Sequence, residues 1–507
     1  MNWNITSPAD RQHFAPEEIF AAGLAQHHLA NTAYPIGHVT TLRPYRVTRR
    51  AGEDDRAAAA AWNDIDQLCL YVHIPFCEKR CSFCEYTVVD PRLNQSAEDT
   101  YFDLLVREFE LWGQAIDSAQ KTLIGFDIGG GTPALPQAAN TARLMEAAHR
   151  HFRFKPGMQI SIETTPRLAA HDPQKMHDLR ALGIERISMG VQTIQPSLLR
   201  ALGRNASAAD INYTARDAIR AAGFEKFNVD LMYGFARQSL RSWSETLQHA
   251  IDLDPEYITL YRMRYKGTQI AAQAQHVTLE QIEAMVQLAK EKLSAAGYLA
   301  TPGKNTYSRL TGDPGTSDYL TTRVIDGTPY LGLGLGAQSL SPTTLSYNAG
   351  AAGKNLTLYQ QKLEAGRFPL QDLYHLSREA AMGKMISVSF YFGEINLASF
   401  RRKFGLSLEQ AFPAEIDFVV QRGLMEYTAT ALRLTLQGEI CYNGVIALFY
   451  APAVQEHLLK LAHGERVKPV RGWRKIWQPE FEALKTSPCP APALILPRLN
   501  SGEGRGG

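Results

Sequence analysis

From about residue 61 to residue 345 the chain switches repeatedly between two hydrophobic periods. Short runs rich in β-branched and aromatic residues fall at Leu68–Ile74, Leu123–Ile128, Gln159–Glu163, Arg186–Val191, Phe227–Met232 and Tyr257–Tyr261. After the first run, Phe102, Leu105, Val106 and Phe109 stand at i, i+3, i+4 and i+7, one face of a helix. Helical patterns recur at Ala138–His151, Ala209–Ala222 and Ser239–Leu253. Six strand–helix units in succession specify a parallel sheet with right-handed crossovers. A closed barrel would need eight. The expected fold is therefore α/β, a partial six-stranded (β/α)6 barrel over 61–345, with its chemistry at the C-terminal ends of the strands.

The flanks read differently. Residues 1–60 form an N-terminal arm with one helix near Pro16–His28. Over 346–465 helices dominate, at Leu356–Ala365, Ser377–Val388, Leu397–Phe404, Leu408–Phe412 and Ile416–Arg422. Ala431–Thr435, followed by Leu436-Gln437-Gly438 and an apolar helix to Tyr450, then suggests a winged-helix-like element, or equally a cap over the barrel mouth. The Pro-rich Ser487–Pro497 and Gly-rich Ser501–Gly507 predict a disordered tail over 466–507.

Charge decides between wing and cap. Fifty-three Lys+Arg against 51 Asp+Glu leave a net charge of +2 in 507 residues. That balance lacks the basic excess of a nucleic-acid or membrane-surface binder and favours the cap. Met1–Phe14 is polar and carries Asp10 and Arg11, so it contains no signal-peptide core. No apolar run approaches the ~20 residues of a membrane span. A cytoplasmic protein that binds neither nucleic acid nor membrane is expected.

Six cysteines are present, and Cys77, Cys81 and Cys84 fall within eight residues, directly after the first strand. The spacing is C-x3-C-x2-C. Soft thiolates select zinc, copper(I) or iron–sulfur clusters. A structural zinc site is normally closed by four ligands, and here no second cysteine pair or nearby downstream histidine supplies the fourth. Three thiolates on a cubane [4Fe–4S] cluster leave one iron open to a small chelating molecule. That is what reductive cleavage of S-adenosylmethionine (SAM) requires. Cys69, Cys441 and Cys489 read as core or tail residues, and His73 as a packed strand histidine.

Further motifs follow in order: Ile128-Gly-Gly130-Gly131-Thr132-Pro133, Ser161-Ile-Glu163-Thr-Thr-Pro166, Arg186-Ile-Ser-Met-Gly190-Val-Gln192, Asn228-Val-Asp230-Leu-Met-Tyr-Gly234 and Tyr330-Leu-Gly-Leu-Gly-Leu-Gly336. With Tyr71–Cys84 they resemble the radical SAM superfamily, in particular its oxygen-independent coproporphyrinogen III oxidase group, which also holds haem-chaperone and class C methylase relatives. Asn31-Thr-Ala-Tyr34-Pro35 resembles the oxidase's N-terminal segment. The resemblance implies Cys77, Cys81 and Cys84 as cluster ligands. It implies Tyr71, Phe83, Gly130, Gly131, Thr132, Glu163, Gln192, Arg204 and Asp230 around SAM, and an electron donor such as flavodoxin or ferredoxin.

One position departs from the oxidase. Two residues after the third ligand the oxidase carries a further cysteine, and this chain has Tyr86. On that ground the expected reaction is methylase-like. Two SAM molecules would be used per turnover, and a methyl or methylene carbon would pass to an unsaturated or aromatic small molecule, a tetrapyrrole or another conjugated ring. An oxidative decarboxylase, with Arg262 and Arg264 holding propionates, is the first alternative. A haem chaperone is the second.

Overall fold

The computed structural model describes residues 10, 12–26, 36–47, 53–89, 95–204, 209–265, 268–351 and 356–464. The Asn31–Pro35 segment, Cys489 and the expected tail at 466–507 lie outside the described residues.

The strands are β1 (Gln67–Ile74), β2 (Thr122–Gly130), the two-residue β3 (Arg153–Phe154), β4 (Ile160–Thr164), β5 (Ile184–Gln192), β6 (Lys226–Tyr233) and β7 (Tyr257–Arg262). β1, β2, β4, β5, β6 and β7 are neighbours in that order and all run parallel, giving the six expected barrel strands. Each is buried on both faces between helices and the barrel interior, which is why each reads as a nearly continuous apolar run. In β1 only Gln67 is exposed.

Beyond this array the sheet extends further than expected. β8 (Thr306–Ser308) adds antiparallel to β7. On the other side β9 (Tyr330–Leu333) lies parallel to β1, and β10 (Gln338–Leu340), β11 (Thr344–Asn348) and β12 (Leu370–His375) continue it antiparallel. The change of pattern read at 345 thus falls inside a strand, and the sheet runs on to His375. These strands are short, and β9 is embedded in alternating glycines that carry no strand pattern. The outer strands β8 and β12 do not pair among the described residues, so the barrel is open.

The helix Gln95–Ala115 packs its apolar face behind β1 and β9, with Phe102, Leu105 and Phe109 at most 1 % accessible. Trp112 on that helix stacks on Phe368, ring centroids 4.0 Å apart, and meets Trp62 edge-on. The segment before β1 and the loop before β12 are joined by this aromatic group.

The N-terminal arm holds the helix Pro16–Ala25 and also Glu53–Ala60. The first packs on the C-terminal helix Tyr442–Leu448, with Gly23 against Asn443 and Ala447. A second, three-stranded antiparallel sheet, β13 (Glu394–Asn396), β15 (Ala431–Leu434) and β14 (Met425–Tyr427), sits among the C-terminal helices. The single apolar helix expected up to Tyr450 is broken into Leu436–Ile440 and Tyr442–Leu448. No helix among the described residues is long and apolar enough to cross a membrane.

Candidate active site

The three clustered thiols occupy the loop leaving β1, and backbone hydrogen bonds fix that loop on several sides. Gly131 N and Thr132 N donate to the carbonyls of Ile74 (2.8 Å) and Phe76 (2.7 Å). Ser82 N donates to Leu202 O (2.9 Å), and Gln269 N donates to Ser82 O (3.0 Å). Glycine is needed where the β2 turn crosses the loop. A Cβ on Gly131 would stand 2.5 Å from Phe76 O and 2.8 Å from Cys77 Sγ.

Cys77, Cys81 and Cys84 form no disulfide, are half-buried and open onto one cavity of about 1090 Å3. Burial pushes the Cys77 thiol up to about 12; a hydrogen bond from Thr132 opposes this, while the nearby Cys84 and Cys81 add to it. Burial also raises Cys81, against the fields of Arg204 and Lys79. Thiols that raise one another face the same space. Among the described residues no three His, Cys, Asp or Glu side chains are gathered tightly enough for a single metal ion. Three thiols around a common recess, without a fourth ligand, suit a multi-metal cluster with one open iron better than a closed mononuclear site.

Beside the thiols the cavity wall is rich in acceptors. Gln192 has a left-handed backbone (φ 68°), at a register shift between β5 and β6. Its Oε1 is buried without a hydrogen-bond partner. A bound polar ligand would supply the contact that this strained, buried acceptor lacks. Glu163, at the end of β4, stands in the cavity wall with its side chain open to the cavity. Burial, then the fields of Asp230 and Asp127, push its carboxyl up to about 8, opposed by a hydrogen bond from the Gly130 backbone. Asp230 accepts from Ser188 Oγ and Asn228 Nδ2, each at 2.7 Å, and burial holds it up at about 6. Acceptors of this kind fit the ammonium and hydroxyl groups of SAM.

Phe83, Gly130, Gly131, Thr132, Glu163, Gln192, Arg204 and Asp230 all line this cavity together with the three thiols. Tyr71 does not. Its ring lies behind Gly129, whose Cβ position is 3.0 Å from it, and its hydroxyl is 3.3 Å from His73 Nδ1. His73 is the packed histidine expected, with Nε2 2.7 Å from Thr87 O and its pKa lowered by burial to about 4. Cys69 and Cys441 are buried in the core.

Away from the thiols the wall comes from elements that carry no motif. The helix Leu279–Ala295 contributes Ile282, Met285 and Lys290, and the C-terminal helices contribute Ile440, Tyr442 and Asn443. Tyr86 is 57 % accessible and Tyr261 43 %, both into the cavity. Tyr257 packs in the core instead, and Tyr265 backs the cavity wall from a largely buried position. Arg264 is ion-paired with Glu85, and Arg262 lies alongside on the same wall. The C-terminal helices thus cover the mouth, as a cap would.

The radical SAM superfamily profile matches residues 71–250, the stretch that carries the thiols and their acceptors. The chain contains a radical SAM domain. The relatives it matches are coproporphyrinogen oxidases and haem chaperones. It is 27 % identical to the heme chaperone HemW of Bacillus subtilis, over 75 % of this chain and 98 % of that protein. It is 26 % identical to the oxygen-independent coproporphyrinogen III oxidase of Salmonella typhimurium, over 76 % of this chain and 85 % of that protein. In structure it is similar to the coproporphyrinogen III oxidase HemN of Escherichia coli, with a TM-score of 0.68, 23 % identity, and 84 % and 97 % of the two chains covered. That likeness confirms the α/β fold of the radical SAM domain.

These relatives overturn the methylase-like expectation, because they are oxidases and haem chaperones. The expectation leaned on Tyr86, on positions suited to a second SAM and on the room left by the arm and the C-terminal region, none of which fixes the reaction by itself. The family implies a [4Fe–4S] cluster and SAM.

Proposed function

We propose that this chain is a radical SAM oxidoreductase of the oxygen-independent coproporphyrinogen oxidase type, which oxidatively decarboxylates propionate side chains of a tetrapyrrole. The observation that carries this reading is the composition of the cavity. Thiols and SAM-type acceptors share it with Arg262, Arg264 and an aromatic wall of Tyr86, Tyr261 and Tyr391. A macrocycle that is apolar on its faces and anionic at its edge suits such a wall.

Cys77, Cys81 and Cys84 would hold the cluster, which together with SAM would supply radical hydrogen-atom abstraction. The protein's own side chains do the rest by placement. Gln192, Glu163 and Asp230 orient SAM through its polar groups, and Arg204 stands beside Gln192 to complement a carboxylate. The tyrosines hold the ring, while Arg262 and Arg264 direct a propionate toward the thiol end. The helices Leu279–Ala295 and Tyr442–Leu448 exclude water from the space between.

In balance, each propionate gives a vinyl group and carbon dioxide, one hydrogen atom passes to deoxyadenosine, and one electron leaves to an external one-electron carrier. One SAM is consumed per carboxylate removed. A reduced flavodoxin- or ferredoxin-class protein fits as the electron donor.

A second reading, haem chaperone, is favoured by the likeness to HemW. Anaerobic incubation of the reconstituted protein with SAM, reductant and coproporphyrinogen III separates the two. The oxidase reading expects 5′-deoxyadenosine and carbon dioxide in equal amounts. Stable retention of one haem per chain, with no carbon dioxide from coproporphyrinogen III, would establish the chaperone.

A further inference from the structure

The seam between the barrel and the C-terminal region presents a cation not yet assigned a partner. Lys304 lies on the loop that enters β8, and this loop is clamped on both sides of it. Gly303 has φ +82°, and a Cβ there would stand 2.5 Å from Leu434 Cδ1 and 3.0 Å from Gly393 Cα. A Cβ on Gly393 (φ +69°) would collide with Pro302 O. Two glycines ninety residues apart thus allow the barrel loop and the C-terminal region to meet backbone to backbone.

Polar contacts lock the junction. Gly303 N donates to Glu439 Oε1 (3.1 Å), Thr301 Oγ1 donates to Phe392 O (3.4 Å), and Lys304 N donates to Thr301 O (3.1 Å). From this fixed loop the Lys304 side chain reaches the cavity wall, its ammonium 4.5 Å from the centre of the Phe392 ring.

Two of the other wall cations have acidic partners. Arg264 is paired with Glu85, and Lys290 with Glu439. Among the described residues the Lys304 ammonium makes no hydrogen bond or ion pair, and its contact is the face of Phe392. Burial draws its pKa down to about 8, against the fields of Glu394 and Asp313. A desolvated ammonium facing an aromatic ring inside a cavity gains strongly when an anion reaches it.

We propose that Lys304 receives a carboxylate of the substrate, and that this contact sets where a propionate-bearing ligand sits in the cavity. The inference rests on the tetrapyrrole reading above. Arg262 ends β7, whereas Lys304 precedes β8, so the cations that would hold carboxylates come from two separate segments of the wall.

Fluorescence titration of the full, cluster-loaded chain with coproporphyrin III and with its tetramethyl ester tests it. Lys304→Gln and Lys304→Met should each weaken coproporphyrin III binding by about tenfold or more, the effect of losing one charge-assisted contact. Lys304→Arg should keep binding within about threefold, and the ester should bind all four proteins alike. Undiminished coproporphyrin III binding by the Gln and Met variants would overturn the inference and leave the tetrapyrrole reading standing. An equal loss for acid and ester would overturn it too, by reducing Lys304 to a packing residue. Failure of the wild type to bind coproporphyrin III would overturn the tetrapyrrole reading, and the inference with it.

Discussion

Replacing Cys81 by alanine should abolish the brown iron–sulfur chromophore and all reductive cleavage of SAM, and C77A and C84A should do the same. The three thiols are the soft ligands that share the cavity, and no fourth His, Cys, Asp or Glu is gathered with them among the described residues. A two-thiol remnant cannot hold three corners of a cubane. The controls are Cys69→Ala and Cys441→Ala. Cys69 is packed in the core, its sulfur 3.1 Å from Thr322 Oγ1, and Cys441 is buried at a break between two helices. Those changes should cost about 1–2 kcal/mol of stability and leave iron content intact. Iron and sulfide assays with the absorption spectrum decide the matter. Normal iron in C81A would remove the basis of the whole site.

Glu163→Gln should lower SAM affinity by about tenfold or more, as expected on losing a charge-assisted hydrogen bond, while stabilising the ligand-free protein in alkali. The second effect follows from the raised carboxyl. Unfolded, the group titrates near 4.5, and folded near 8. Holding it ionised in the fold therefore costs nothing below about pH 4.5. The cost grows as pH rises through the interval and is full above about 8. Thermal unfolding of the ligand-free E163Q protein should then match wild type near pH 5 and lie higher at pH 8–9. Equilibrium dialysis with SAM supplies the other half. Wild-type SAM affinity in E163Q, or a melting difference independent of pH, would remove Glu163 from the site.

The barrel was legible because its strands are buried on both faces and each carries an unbroken apolar run, from Leu68–Ile74 to Tyr257–Tyr261. The thiol loop was legible because ligand spacing is local in sequence. What lay hidden depends on contacts between distant segments. Tyr330–Leu333 pairs with β1, yet its alternating glycines carry no strand pattern. Leu436-Gln437-Gly438 opens a short helix of its own, separate from Tyr442–Leu448. Thr435 caps it by accepting from Gly438 N at 3.1 Å, and Gly438 is required because a Cβ there would collide with Leu424 O. Lys304 carries no motif at all, since its place is set by Gly303 meeting Gly393. Tyr71 was grouped with the SAM-binding residues on resemblance, but its alternation along β1 turns its ring behind Gly129.

The relatives moved the expected reaction from carbon transfer to oxidation, and the cavity's cations are consistent with that change. The most direct measurement uses coproporphyrinogen III deuterated at the ring-attached carbon of its propionates, the carbon that must lose hydrogen to become a vinyl group. Incubation with the reconstituted protein, SAM and reductant, followed by mass spectrometry, should give 5′-deoxyadenosine carrying one deuterium, matched by one carbon dioxide. Unlabelled 5′-deoxyadenosine with the porphyrinogen recovered intact would contradict the account.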